Sequence, residues 1–173
     1  MGDLAGAGVV AGHALASTEI DARFFARILD KGARHAEPRA FPGTSPNVCA
    51  GHASILFGLT GPSAATCSGL DGGVEALALA AELVAAGDAD RMVVVAADRT
   101  GDAARAILAA GFPHATPPGD GAVAALLVAE GPADAPVVPL DLAPDHDGAR
   151  IGHHALAARL DALAARSADG PTG

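Results

Sequence analysis

Apolar positions along the chain change their period several times, and the changes mark alternating strands and helices. Residues 7–12 are small and apolar throughout, the pattern of a short buried strand. Ser17 and Thr18 precede Glu19 and Asp21, a helix start with acidic residues in its first turn. That helix should run to about Leu29 and stop before Gly32, with Phe24, Phe25 and Ile28 on its apolar face. Residues 34–46 are polar and contain proline, hence a loop. Asn47 is placed to cap a helix from Val48 to about Phe57, with Gly58 as its stop. Gly61-Pro62 then opens a turn and small β-tolerant residues follow over 63–68. Residues 69–73 form a tight corner, and the chain reads as a helix from Val74 to near Gly87, capped by Asp71 or a neighbour.

The second half repeats the alternation. Residues 92–97 are a continuous apolar run, a strand buried on both faces and closed by Asp98 and Arg99. A short helix over 103–110 ends at Gly111, and residues 112–119 are a Pro-rich loop. A strand over 121–130 stops at Gly131-Pro132, and 137–142 reads as one more. Asp145, His146 and Asp147 form a polar loop. Residues 151–166 have helical spacing, with Leu156, Leu160 and Leu163 on one face, and 169–173 should fray. This order predicts an α/β fold with a mixed sheet of about four or five strands flanked by helices.

Composition narrows the picture. At 173 residues a single domain spanning 1–173 is expected, long enough to bury a core. Half of the residues are hydrophobic but only 3% are aromatic, with no Trp or Tyr, so Ala, Gly and Val must pack the interior closely. The net charge of −9 argues against nucleic acid and anionic membrane as partners. No apolar run reaches the ~18 residues of a transmembrane helix and no signal peptide is visible, so a cytoplasmic location is expected. The two Cys lack the spacing of a disulfide framework or a zinc site. No metal or cofactor is expected.

Candidate chemistry concentrates at the corner. A strand that turns sharply into a helix leaves its corner residue at the helix N-terminus, where unpaired N–H groups stabilise a thiolate, an oxyanion or a carboxylate. Gly69, Leu70, Asp71, Gly72 and Gly73 make that elbow, with Cys67 three residues before Leu70 and inside the expected strand. Cys49 and His52 sit three apart on the second helix and could approach each other, but interior packing is the plainer expectation for both. His153-His154 point about 100° apart on one helix and cannot converge on one substrate atom. Gly119-x-Gly121 is too short for a phosphate loop.

Several phrases, in order, resemble the β-ketoacyl synthases of the thiolase-like superfamily. They are residues 41–47 (FPGTSPN), 50–55 (AGHASI), 58–63 (GLTGPS), 87–90 (GDAD), 119–123 (GDGAV) and 126–130 (LLVAE). The resemblance covers about 8–130. It implies a curtailed thiolase-like half-domain, without that family's leading strands and without the half that supplies two catalytic His. Counted without gaps from Gly61-Pro62-Ser63, the family's acyl-carrying Cys falls on Leu70, which cannot attack a thioester. The wording of residues 70–77 (LDGGVEAL) is closer to chain-length factors, the non-condensing partners of ketosynthases.

The resemblance implies two functions, and both stay open here. One is a non-condensing accessory subunit of type II polyketide or fatty-acid assembly, binding an acyl chain, an acyl carrier protein or a ketosynthase. The other is a small enzyme of acyl transfer, isomerisation or cyclisation using Cys67 or Asp71; condensation itself is not expected. The family pairs its elbow strand antiparallel across a two-fold axis, so Ser63, Ala64, Ala65, Thr66, Cys67 and Ser68 should form the dimer strand of a homodimer or of a heterodimer with a ketosynthase. Phe24, Phe25 and Phe57 are the candidate lining of an acyl pocket.

Overall fold

The computed structural model describes residues 4–111, 113, 119–129, 156–157 and 160–161. The strand expected at 137–142, the loop at Asp145, His146 and Asp147, the pair His153-His154, and Leu163 lie outside the described residues, as does most of the loop at 112–119.

Four strands among the described residues form one mixed sheet in the order β2-β1-β3-β4. They are β1 (Gly8–Gly12), β2 (Ser63–Thr66), β3 (Arg91–Asp98) and β4 (Gly121–Val128). β1 pairs parallel with β2 and with β3, while β4 runs antiparallel to β3. Every residue of β1 is buried, as a central strand of small apolar residues should be. The helices are α1 (Thr18–Lys31), α2 (Val48–Phe57), α3 (Gly72–Ala85) and α4 (Asp102–Gly111). The described part of the C-terminal stretch is helical at 156–157 and 160–161.

Alternation along the strands assigns the two layers. Val10, Met92, Val94 and Ala96 face Ala76, Leu77 and Ala80 of α3, and Leu156 joins this cluster fully buried. Val9 and Ala11 face the other way, against Ala50 of α2 and Leu59. Small side chains let α3 approach β1 so closely that a Cβ on Gly12 would lie 2.3 Å from the Gly72 carbonyl oxygen.

Four local expectations are corrected. First, β3 is buried on one face and half-buried on the other, because α2 covers only part of that side. Second, α1 has no buried residue: Phe25 and Leu29 are exposed, since α1 packs beside α4 and the 3₁₀ turns at 33–35 and 41–44 rather than over the sheet. Third, Asn47 and Asp71 occupy N-cap positions without a side-chain cap bond. Their ψ values of −8° and 0° are not the extended backbone from which a cap oxygen reaches the first turn. Fourth, β2 ends at Thr66, two residues earlier than expected, so Cys67 and Ser68 lie beyond the strand and are exposed.

Candidate functional site

Three parallel strands deliver their C-terminal ends to one place, the position at which α/β sheets collect their chemistry. Gly12 pairs with Thr66 on one side and with Ala96 on the other, so the register brings His13 beside Cys67 and Ala97. The elbow forms immediately after β2. His13 donates its backbone N–H to the Thr66 carbonyl at 3.0 Å, and the Thr66 hydroxyl donates to the Gly72 carbonyl at 2.8 Å. Between them the chain turns through Gly69, whose φ of +67° suits glycine, and through a 3₁₀ turn at Gly69–Asp71 that runs straight into α3. Leu70 is the middle residue of that turn. The Ser68 hydroxyl donates to the Glu75 carboxylate across it.

Asp98 closes β3. Its buried carboxylate accepts the N–H groups of Ala14 and Leu15 at 2.9 and 3.0 Å, tying the loop after β1 to the end of β3. That loop contains Ala16 at φ +44°, a left-handed backbone that costs about 1 kcal/mol and persists where its surroundings over-determine it.

His13 is only 5% exposed. Its Nδ1 donates to the Ala97 carbonyl at 2.8 Å, which leaves Nε2 as the nitrogen free to take a proton. Nε2 is buried and meets no hydrogen-bond partner among the described residues. The side chain that acts on this ring is Cys49, the second residue of α2. The Cys49 thiol raises the pKa of His13 above the usual imidazole value against the opposing effect of burial, and the Ala97 carbonyl and Asp98 carboxylate add in the same direction. Reciprocally, His13 lowers the Cys49 thiol below its ordinary value despite partial burial. The two shifts are opposite in sign, so each group favours the charged form of the other.

The sequence-predicted residues distribute differently. Cys49 is drawn to His13 and not to His52, and both Cys49 and His52 are exposed rather than packed inside. Cys67 is exposed as well, not buried, and its thiol is pushed up, first by partial desolvation and then by the Asp98 charge. It is therefore a poorer thiolate than a free cysteine. Asp71 sits half-buried at the head of α3, and Gly72 and Gly73 are buried against β1. Phe24 packs edge-on against Phe25 at 5.5 Å and tilts against Phe41 at 6.0 Å, while Phe57 ends α2 half-exposed. Among the described residues, no three His, Cys, Asp or Glu are grouped to hold a metal. Likewise, no helix among them is long and apolar enough to cross a membrane.

His13 was legible in principle, because it is the first polar residue after a buried strand and Asp98 is the last residue of another. Its pairing with Cys49 depends on how α2 crosses β1, and no local pattern encodes that.

Residues 3–124 match the family described as Beta-ketoacyl synthase, N-terminal domain. The chain belongs to this family. A 92-residue stretch is 34% identical to 3-oxoacyl-[acyl-carrier-protein] synthase 2 of Vibrio cholerae serotype O1, covering 53% of this chain and 22% of that protein. The same-named protein of Rhizobium meliloti is 38% identical over 88 residues, 50% of this chain and 20% of that one. The chain thus spans about a fifth of the length of these curated relatives. Among solved structures, the ishigamide ketosynthase/chain length factor is 27% identical with a TM-score of 0.61, over 73% of this chain and 36% of that chain. A beta-ketoacyl synthase from Burkholderia phymatum has the same fold, at 23% identity and a TM-score of 0.61 over the same shares. The thiolase-like α/β fold and the β-ketoacyl synthase family are thereby established for this chain.

Proposed function

We propose that this β-ketoacyl synthase family member is a non-condensing subunit of type II polyketide or fatty-acid assembly that works against a ketosynthase, an acyl carrier protein or its acyl chain. The observation that carries the reading is Leu70 in the turn between β2 and α3, at the position where the resemblance places the nucleophile. A leucine there has no group to take an acyl chain. The likeness to a ketosynthase/chain length factor structure supports the same reading. β2 is the outer strand of the sheet among the described residues, and α2 beside it exposes Ile55, Leu56 and Phe57. An unpaired sheet edge flanked by exposed apolar side chains fits a partner strand.

Two measurements test this. The purified chain, given malonyl and acyl carrier-protein thioesters, should release no 3-ketoacyl product; such a product with this chain as the only synthase overturns the reading. Co-expressed with a ketosynthase of its host, the chain should sediment as a complex, or as a homodimer when alone. Ala65→Pro should weaken that assembly by removing a strand N–H. A wild-type chain that stays monomeric at micromolar concentration, both alone and with the ketosynthase, refutes the assembly.

A further inference from the structure

The elbow carries Leu70 where the resemblance places the nucleophile, yet a thiol outside the elbow, Cys49, acts on the buried imidazole of His13. Cys49 lies in the first turn of α2, where the helix N-terminus favours negative charge at sulfur. Its side chain is accessible to solvent. His13, which acts on this thiol, is almost fully buried and held in one tautomer by the Ala97 carbonyl, with Nε2 unpartnered among the described residues. A thiol, a base and a group that orients the base are the parts of an activated nucleophile. Along α2, His52 and Leu56 follow Cys49 at three and seven residues and share its face, both exposed. Leu56 gives that face an apolar surface along which an acyl chain can lie.

We infer that Cys49, with His13 as its base, is an acyl-accepting thiol that takes acyl groups from thioesters. The inference rests on the proposed function only in that acyl thioesters are then the electrophiles at hand. The Cys49 thiolate attacks the thioester carbonyl carbon while His13 holds the proton taken from the thiol. The tetrahedral adduct collapses, and the carbon–sulfur bond to the departing thiol breaks. The leaving thiolate recovers the proton from His13, giving S-acyl Cys49, a free thiol and neutral imidazole. No oxidant or metal is needed. Among the described residues, the titratable groups that act on His13 are Cys49 from α2 and Asp98 from β3, and Asp98 also acts on Cys67 beyond β2. The Cys49 thiol is lowered and the His13 imidazole raised, the directions that favour moving the proton from sulfur to nitrogen.

The test uses the full chain and the N-acetylcysteamine thioester of hexanoate, read by intact mass and by fragment-ion localisation. The expected result is one hexanoyl adduct on Cys49, formed at pH 7 at least about tenfold faster than any on Cys67. In Cys67→Ser, which keeps a single thiol, the rate should rise with pH and level off below the ~8.5 of a free cysteine. His13→Gln retains a donor for the Ala97 carbonyl but no base, and should slow the reaction by about tenfold or more. Absence of the adduct, equal labelling of both cysteines, or a folded His13→Gln chain that reacts like wild type each overturns the inference. Should His13→Gln fail to fold, the pH profile of Cys67→Ser decides alone: a rate still rising above pH 8.5 overturns it. Alkylation by iodoacetamide without acylation also overturns it. None of these outcomes bears on sedimentation with a ketosynthase, so the two readings fail separately.

Discussion

Gly72→Ala should abolish folding, or lower stability by more than about 4 kcal/mol, in a chain where helix propensity alone predicts a gain. Gly72 opens α3 with φ −49° and ψ −39°, an ordinary helical backbone that alanine adopts readily. In a helix, Gly to Ala is worth up to about 1 kcal/mol in favour of alanine. Sterics oppose this. A Cβ at Gly72 would stand 2.2 Å from the His13 carbonyl oxygen and 2.7 Å from its carbonyl carbon. Both are main-chain atoms, and the His13 N–H to Thr66 carbonyl bond pins that segment to β2. Relief would require α3 to withdraw from β1, opening the contact of Ala76, Leu77 and Ala80 with the sheet. Overpacking into fixed backbone therefore outweighs the propensity term. Gly51→Ala is the matched control: it lies inside α2 with no atom near the new Cβ. That variant should hold or raise the urea midpoint, while Gly72→Ala should yield no cooperative transition. Equal midpoints for the two would mean that α3 does not touch β1 as described.

The contrast shows which parts of the molecule could be read from the sequence. The buried strand at 7–12 and the apolar runs at 92–97 and 121–128 announce themselves as strands by length and composition, because burial acts on each residue locally. Gly58 ends α2 as expected, in the left-handed conformation that glycine adopts without strain. The misreadings have another origin. Phe24, Phe25 and Ile28 form an apolar stripe, but where α1 comes to rest depends on α4 and the turn at 41–44, which are distant in sequence. Cys67 looked like strand filling because nothing in a run of small residues marks the last pleat. The Thr66 hydroxyl, bonded to the Gly72 carbonyl, ends the strand there. The site divides in the same way. The elbow was visible in the wording of residues 61–74, whereas the Cys49–His13 pair exists only once parallel register sets β1 between β2 and β3 and α2 lies over them.

Asp98→Ala should destabilise the chain by about 3 kcal/mol, and Asp98→Asn by about 1 kcal/mol or less. The Asp98 carboxylate oxygen accepts two backbone N–H groups, from Ala14 and Leu15, at a residue 7% exposed. Hydrogen bonds to a charged acceptor contribute about 1.5–3 kcal/mol each, and buried donors left unmade carry their own desolvation penalty. Alanine removes the acceptor altogether and frees the loop that holds Ala16 in its strained conformation. Asparagine keeps an oxygen in place to accept both bonds while removing the charge. The charge has a separate readout. It helps to push the Cys67 thiol up and adds to the upward shift of His13. Removing a neighbouring negative charge lowers a thiol pKa, because the thiolate is no longer repelled. In a folded Asp98→Asn chain, Cys67 should therefore react faster with iodoacetamide at pH 8, by about a few-fold, while burial still holds its thiol above the free value. His13 loses one of the groups that favour its proton, so Cys49 should lose a small part of its advantage over Cys67. Denaturation midpoints rank the two variants, and cysteine-resolved alkylation rates separate the charge from the hydrogen bonds. If Asp98→Asn proves as unstable as Asp98→Ala, the carboxylate is holding the loop through its charge rather than as an acceptor of the Ala14 and Leu15 amides.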